Sequence, residues 1–88
     1  MVIQAYVLFK VNSGTERETC RKLVDFDDVL VVGIIYGEYD VIAKISVLDM
    51  RALEEFLSEK IRKVPSVILT STMIVAREYK GRTKRITK

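Results

Sequence analysis

The chain has 88 residues, of which 49% are apolar and 31% charged, a composition typical of one small folded domain and not of a disordered protein. It contains no histidine and a single cysteine, Cys20, which excludes an internal disulfide framework and histidine-dependent haem, zinc and monooxygenase sites. Residues 80–88 hold five of the fifteen basic residues and no acidic one, so the rest of the chain has ten basic and twelve acidic residues, a net charge of −2.

The first predicted elements are a strand and a short helix. Val2 to Val11 is apolar on both alternating faces, as in a strand covered on both sides. After a break at Asn12 to Gly14, Thr15 and Glu18 have the spacing of a capping box that begins a helix. The apolar face that we predict for this helix consists of Cys20, Leu23 and Val24, with Cys20 as a small buried side chain.

Two further strands flank a polar turn. Val29 to Tyr36 is rich in β-branched residues, and Gly33 within it predicts a bulge or a close backbone approach. Gly37 predicts a tight hairpin connection to the next strand, Val41 to Val47. Simple alternation in the first of these strands places Leu30, Val32 and Ile34 on one face and Val29, Val31 and Ile35 on the other.

The last predicted elements are a second helix and a final strand. Asp49 is a good N-cap, Pro65 ends the helix, and Val67 to Arg77 forms the strand. The resulting order, βαββαβ, predicts an α+β fold: a ferredoxin-like antiparallel sheet with two helices on one face. The helical spacing is carried by Met50, Leu53, Leu57 and Ile61, with Phe56 and Val64 beside them.

The strands predict self-association. Two helices cover one face of a sheet, whereas these strands are apolar on both faces. A small monomer rarely exposes so large an apolar patch. We therefore predict a dimer with two sheets packed face to face, a dimeric α+β barrel, whose interface buries roughly 800 Å² per subunit or more.

Asp40 is the residue most suggestive of a binding site. It stands where a strand begins, between apolar neighbours, a place where a carboxylate needs a partner or a ligand. Two interpretations stay open: a turn aspartate that accepts from nearby backbone amides, and a carboxylate that binds a ligand amine. No nucleophile–base pair or metal-ligand set can be assembled, so we expect no catalytic residues, no metal, no cofactor and no enzyme.

A set of motifs in a fixed order and spacing resembles one known family. These are the turn Gly37 to Asp40, the strand Val41 to Ile45, Asp49, Leu53, Phe56, Ile61, Pro65 with Val67, and Thr70 to Thr72. From the first strand to about Val75 the chain is similar to the effector-binding (RAM) domain of Lrp/AsnC-type transcriptional regulators. Those regulators place a helix-turn-helix domain before this module, so a chain that begins at the module resembles the stand-alone RAM proteins.

The resemblance implies a sensor for transcriptional regulation of amino-acid metabolism. It implies dimers, often in a ring of four dimers (an octamer), with a small amino acid bound where dimers meet. It also allows co-assembly with full-length Lrp/AsnC regulators.

A bound zwitterion needs an acceptor for its ammonium group, which Asp40 supplies, and donors for its carboxylate. Backbone amides around Gly37 and the hydroxyls of Thr70, Ser71 and Thr72 are the candidate donors, although the three hydroxyl residues are also ordinary strand filler. Tyr36 and Tyr39 either line the pocket or cover a subunit interface, and both interpretations stay open.

A second hypothesis is a dimeric α+β barrel enzyme that binds a small organic substrate in the sheet cavity. No apolar run approaches the roughly 20 residues of a membrane helix and no targeting segment is visible, so we expect a cytoplasmic protein. We assign residues 1–79 to the RAM-like domain and residues 80–88 to a basic tail. The tail lacks aromatic residues and a recognition helix, so we expect no sequence-specific nucleic-acid binding from Lys80, Arg82, Lys84, Arg85 and Lys88.

Overall fold

The fold is an antiparallel sheet with helices on one side. A computed structural model of the chain describes residues 2–82, and within them the four strands pair in the order β2-β3-β1-β4, all antiparallel. This confirms the predicted ferredoxin-like fold. The elements are β1 (Ile3–Val11), α1 (Glu16–Leu23), β2 (Val29–Ile34), β3 (Val41–Val47), α2 (Met50–Glu55), a π-helical turn (Phe56–Lys60), a 3-10 turn (Ile61–Lys63) and β4 (Val67–Ile74).

The core lies between the sheet and the helices. Alternate residues of the central strands β1 and β3 point toward the helices and are fully or almost fully buried. Phe26 packs edge-on against Phe56, with ring centroids 5.9 Å apart. The buried apolar side chains are Ala5, Val7, Phe9, Val11, Leu23, Val41, Ala43, Ile45, Val47, Leu53, Phe56, Ile61 and Val64.

The predicted capping box of α1 does not form. Thr15 is the N-cap residue, but it makes no side-chain capping bond, because its hydroxyl donates instead to the Asn12 carbonyl oxygen at 2.6 Å. The buried face also differs from the prediction, since Val24 is 55% exposed and Cys20 only half-buried. Thr19, which was not predicted to be on this face, is fully buried, and its hydroxyl donates to the Thr15 carbonyl oxygen at 2.8 Å.

The irregularity in β2 lies elsewhere than predicted. Gly33 pairs with Ile42 in regular register, whereas the register shifts between Val29 and Val31. The extra residue is Leu30, which is exposed. Because a bulge interrupts the two-residue alternation, Val29 packs against the core although simple alternation put it on the face opposite Val32.

The second helix begins as predicted and then changes character. The Asp49 carboxylate accepts from the Ala52 backbone nitrogen at 2.8 Å, which confirms the N-cap. Met50, predicted on the buried face, is 47% exposed. The core side chains Phe56 and Ile61 lie five residues apart, a spacing that the i→i+5 bonding of the π-helical turn keeps on one side of the helix.

No helix or strand within residues 2–82 covers the side of the sheet away from the helices. β4 ends at Ile74 and not at Arg77 as predicted, although the Val75 nitrogen still donates to the Gln4 carbonyl oxygen at 2.9 Å. None of the helices in this part of the chain has the length and apolar character needed to cross a membrane. We call this side the open face; in register across the sheet it presents Tyr6, Leu8, Val31, Ile42, Lys44, Leu69, Ser71 and Met73.

Candidate functional site

Three segments meet at one end of the sheet. Because β1 and β2 are each antiparallel to β3, they run in the same direction and end together. The loop after β1, the first turn of α1 and the β2–β3 hairpin are therefore neighbours. Asn12 also donates to the Ser66 carbonyl oxygen at 2.9 Å, which brings the loop before β4 to the same end.

A cavity of about 430 Å³ opens between the hairpin and α1. This volume lies within the range of small-molecule pockets. Its charged groups are two carboxylates and one guanidinium, which suit a ligand that carries both an ammonium and a carboxylate group. The lining residues are Glu16, Arg17, Ile34, Ile35, Tyr36, Gly37 and Asp40.

Asp40 has a structural role that supports the turn interpretation. One carboxylate oxygen accepts from the Val11 backbone nitrogen at 2.9 Å. The Asp40 backbone donates to the Phe9 carbonyl oxygen and accepts from the Ile35 nitrogen, both at 2.9 Å. A carboxylate has about four acceptor positions, so the bond to Val11 leaves capacity for a ligand ammonium group. The two interpretations of Asp40 are therefore compatible.

The hairpin residues differ in their access to the cavity. Gly37 has φ +141°, a backbone conformation that favours glycine. It lines the cavity together with Tyr36, a fully exposed residue. Tyr39 is half-buried and does not line the cavity. Lys10 fixes the hairpin by donating to the Glu38 carbonyl oxygen at 3.0 Å.

The three hydroxyl residues of β4 lie apart from this cavity within one subunit. Thr70 pairs with Phe9 on β1, while Asp40 contacts the opposite edge of the same strand. Two strand spacings, about 10 Å of backbone, therefore separate Thr70 from Asp40. Ser71 faces the open side, and Thr72, like Thr70, faces the helices. Within one subunit, the three hydroxyls and Asp40 therefore do not form one site.

Glu16 and Arg17 line the cavity but were not among the candidate site residues predicted from the sequence. The spacing of Thr15 and Glu18 predicted only a capping box at the start of a helix. Neither Glu16 nor Arg17 forms a salt bridge within residues 2–82. The available signal was topological, because the ferredoxin-like order places the first turn of α1 beside the hairpin.

Cys20 follows Glu16 by one helical turn. Burial first, and then the negative charge of Glu16, raise the pKa of its thiol. A raised thiol pKa lowers the thiolate fraction at neutral pH, which fits a packing role. Within residues 2–82, no group of three histidine, cysteine or acidic side chains is arranged to hold a metal ion.

Comparisons with known proteins agree on one family. A family model described as the Lrp/AsnC ligand binding domain matches residues 4–85. The HTH-type transcriptional regulator FL11 of Pyrococcus abyssi is 34% identical over 80 residues, which are 91% of this chain and 52% of that regulator. The chain spans about half the length of the curated relatives that it matches.

Solved structures show the same fold. The hypothetical protein PHS023 from Pyrococcus horikoshii is 40% identical with a TM-score of 0.80, over 90% of this chain and 94% of that one. A transcriptional regulator from Neisseria meningitidis, solved as an L-Met complex, has a TM-score of 0.81 at 22% identity, over 92% of this chain and 54% of that one.

Proposed function

Since the chain belongs to the Lrp/AsnC ligand-binding domain family, we propose that it is a non-catalytic sensor that binds a free amino acid beside the β2–β3 hairpin. Its relatives are named transcriptional regulators, and the family gives it a regulatory sensor role. The observation that carries the proposal is the cavity in which Arg17 stands with Asp40 and Glu16. The N. meningitidis ligand belongs to that protein; here it supports free amino acids as the panel to test.

We assign the roles by charge. Asp40 accepts from the ligand ammonium group, with Glu16 as the second acidic group of the cavity. Arg17 pairs with the ligand carboxylate, since a guanidinium donates two parallel hydrogen bonds to such a group. The backbone around Gly37 lets the ligand approach closely, because glycine has no side chain there. Tyr36 covers the mouth of the cavity, and Tyr39 supports the hairpin.

The assembly that we propose is a homodimer through the open face. Four such dimers in a ring form an octamer. The ring is supported by the separation of Asp40 and Thr70 within one subunit, because the contact that we propose between Thr70, Thr72 and the ligand would need a neighbouring subunit. Ser71 faces the open side and would lie in the dimer interface. Co-assembly with full-length Lrp/AsnC regulators would use the open face, as the homodimer does. Ligand occupancy is then coupled to the contacts between dimers.

Thermal unfolding with and without each amino acid tests the binding proposal. A ligand at about 100 times its Kd stabilises the folded state by about 2.7 kcal/mol. Arg17→Gln should weaken that ligand roughly 10-fold or more, because it removes a charged partner of the carboxylate. Arg51→Gln is the matched control, since Arg51 is exposed at the start of α2, at the opposite end of the sheet. An equal ligand-induced stabilisation of the two variants would show that Arg17 does not bind the ligand.

A further inference from the structure

Lys44 is a charged residue in the middle of the open face. It lies on β3, in register with Tyr6 on β1 and Val31 on β2. Its neighbours on this face include Leu8, Ile42 and Met73. A second sheet packed on this face would remove the Lys44 ammonium group from water, which is costly for a charge without a partner.

Lys44 has a partner in its own chain. Its ammonium nitrogen lies 3.0 Å and 2.9 Å from the two carboxylate oxygens of Glu78. The Tyr6 hydroxyl donates to one of those oxygens at 2.9 Å, and the Lys44 nitrogen lies 5.5 Å from the centre of the Tyr6 ring. We call these three residues the Tyr6–Lys44–Glu78 cluster. The lysine and glutamate charges cancel within it.

The directions in which the two pKa values shift agree with this pairing. The hydrogen bond from Lys44, and then that from Tyr6, hold the pKa of Glu78 below its ordinary value. The hydrogen bond to Glu78 raises the pKa of Lys44. Both groups are therefore charged across the neutral range, and the pair stays ionic.

Glu78 comes from outside the sheet. β4 ends at Ile74, and the segment 75–82 that follows is neither helix nor strand. Glu78 in this segment reaches back to two central strands of the open face. The position of the segment therefore decides whether Lys44 is neutralised.

We propose that Glu78 is the counter-ion that allows Lys44 to be buried when a second copy of this chain packs on the open face, so that the segment 75–82 controls dimerisation. A second copy is the occupant that fits, because the cluster leaves a charged partner no unpaired charge to recognise at the centre of this face. An identical face offers matching apolar side chains and its own neutralised cluster. This inference rests on the homodimer of the proposed function.

Sedimentation velocity across a range of protein concentrations tests the proposal. Glu78→Gln should raise the dimer Kd roughly 30-fold or more, because Lys44 would then be buried without its charge partner. Adding Lys44→Met to Glu78→Gln should restore the dimer Kd to within about threefold of wild type, since no charge is then left to bury. Glu59→Gln, at an exposed position of the π-helical turn, is the matched control and should leave the Kd unchanged.

Every outcome of this experiment either supports or overturns the role of Glu78 as counter-ion. Equal dimer Kd values for Glu78→Gln and Glu59→Gln overturn the proposal while the homodimer stands. Failure of the double variant to restore the dimer also overturns it, because Glu78 would then act through contacts other than Lys44. A monomeric wild type overturns both this inference and the proposed homodimer. Amino-acid calorimetry on the same samples tells whether the sensor function survives that result.

Discussion

At the scale of single residues, Asp40 joins the hairpin to the end of β1. Its carboxylate accepts from the Val11 nitrogen at 2.9 Å. Asp40→Ala removes that acceptor and should lower the free energy of unfolding by about 1–3 kcal/mol. Asp40→Asn keeps an acceptor oxygen and should lose less. Urea denaturation measures both, and an equal loss in the two variants would show that the bond to Val11 requires the charge.

The pKa shifts of Glu78 and Lys44 predict how the stability of the fold depends on pH. The pKa of Glu78 is lowered from 4.5, so its pairing stabilises the fold above that pH and is lost as the pH falls through the lowered value. The pKa of Lys44 is raised from 10.5, so its contribution is present below that pH and lost as the pH rises through the raised value. Tyr6 and Lys80 also act on Glu78 and favour its charged form.

The difference in unfolding free energy between wild type and Glu78→Gln should therefore be constant between pH 4.5 and pH 10.5, the ordinary pKa values of the two groups. It should shrink at more acidic and at more alkaline pH. Denaturation at a series of pH values measures it. A difference that changes steeply around neutral pH would contradict the pairing.

At the scale of elements, substitutions at the N-termini of the two helices should change the free energy of unfolding by different amounts. Asp49→Ala should lower the free energy of unfolding by about 0.5–2 kcal/mol, because the Asp49 carboxylate caps the Ala52 nitrogen at 2.8 Å. Glu18→Ala should cost at most about 0.5 kcal/mol, since Glu18 makes an exposed ion pair with Lys22 at 3.4 Å and no capping box. Chemical denaturation compares them; a larger loss for Glu18→Ala would mean that the capping box forms in solution.

The elements also show what sequence patterns can predict. Period-two and helical spacings predicted the element order and most of the core, because burial on one face selects those spacings. The bulge at Leu30 and the π-helical turn at Phe56 were missed. Each shifts the pattern by a single residue, and which residue is displaced depends on packing against β3 or the sheet. A strand or helix considered alone does not contain that information.

The site was predictable to a smaller extent than the fold. The turn between β2 and β3 predicted three residues that line one cavity: Tyr36, Gly37 and Asp40. Arg17 was missed because its proximity to the hairpin arises from topology and not from sequence distance. The placement of Thr70, Ser71 and Thr72 at the ligand stays a prediction, because it depends on contacts between subunits.

At the scale of the whole molecule, the distribution of charge along the chain predicts weak binding to nucleic acid. Lys80 and Arg82 are exposed, whereas Lys84, Arg85 and Lys88 lie outside the described residues. Residues 1–79 carry a net charge of −2, which repels a polyanion. We expect only non-specific DNA association that fades between about 50 and 200 mM salt, as counterion release requires. In gel-shift assays, tight binding to one duplex that survives competition by unrelated duplexes would contradict this.

The most direct test of the central claim is calorimetric titration of the protein with a panel of single amino acids. We predict saturable heat with at least one of them, and an affinity roughly 30- to 1,000-fold lower for Asp40→Asn, because the variant loses the charge-assisted bond to the ligand ammonium group. Absence of heat with every amino acid, or an unchanged affinity in a folded Asp40→Asn variant, would contradict an amino-acid sensor built on this hairpin.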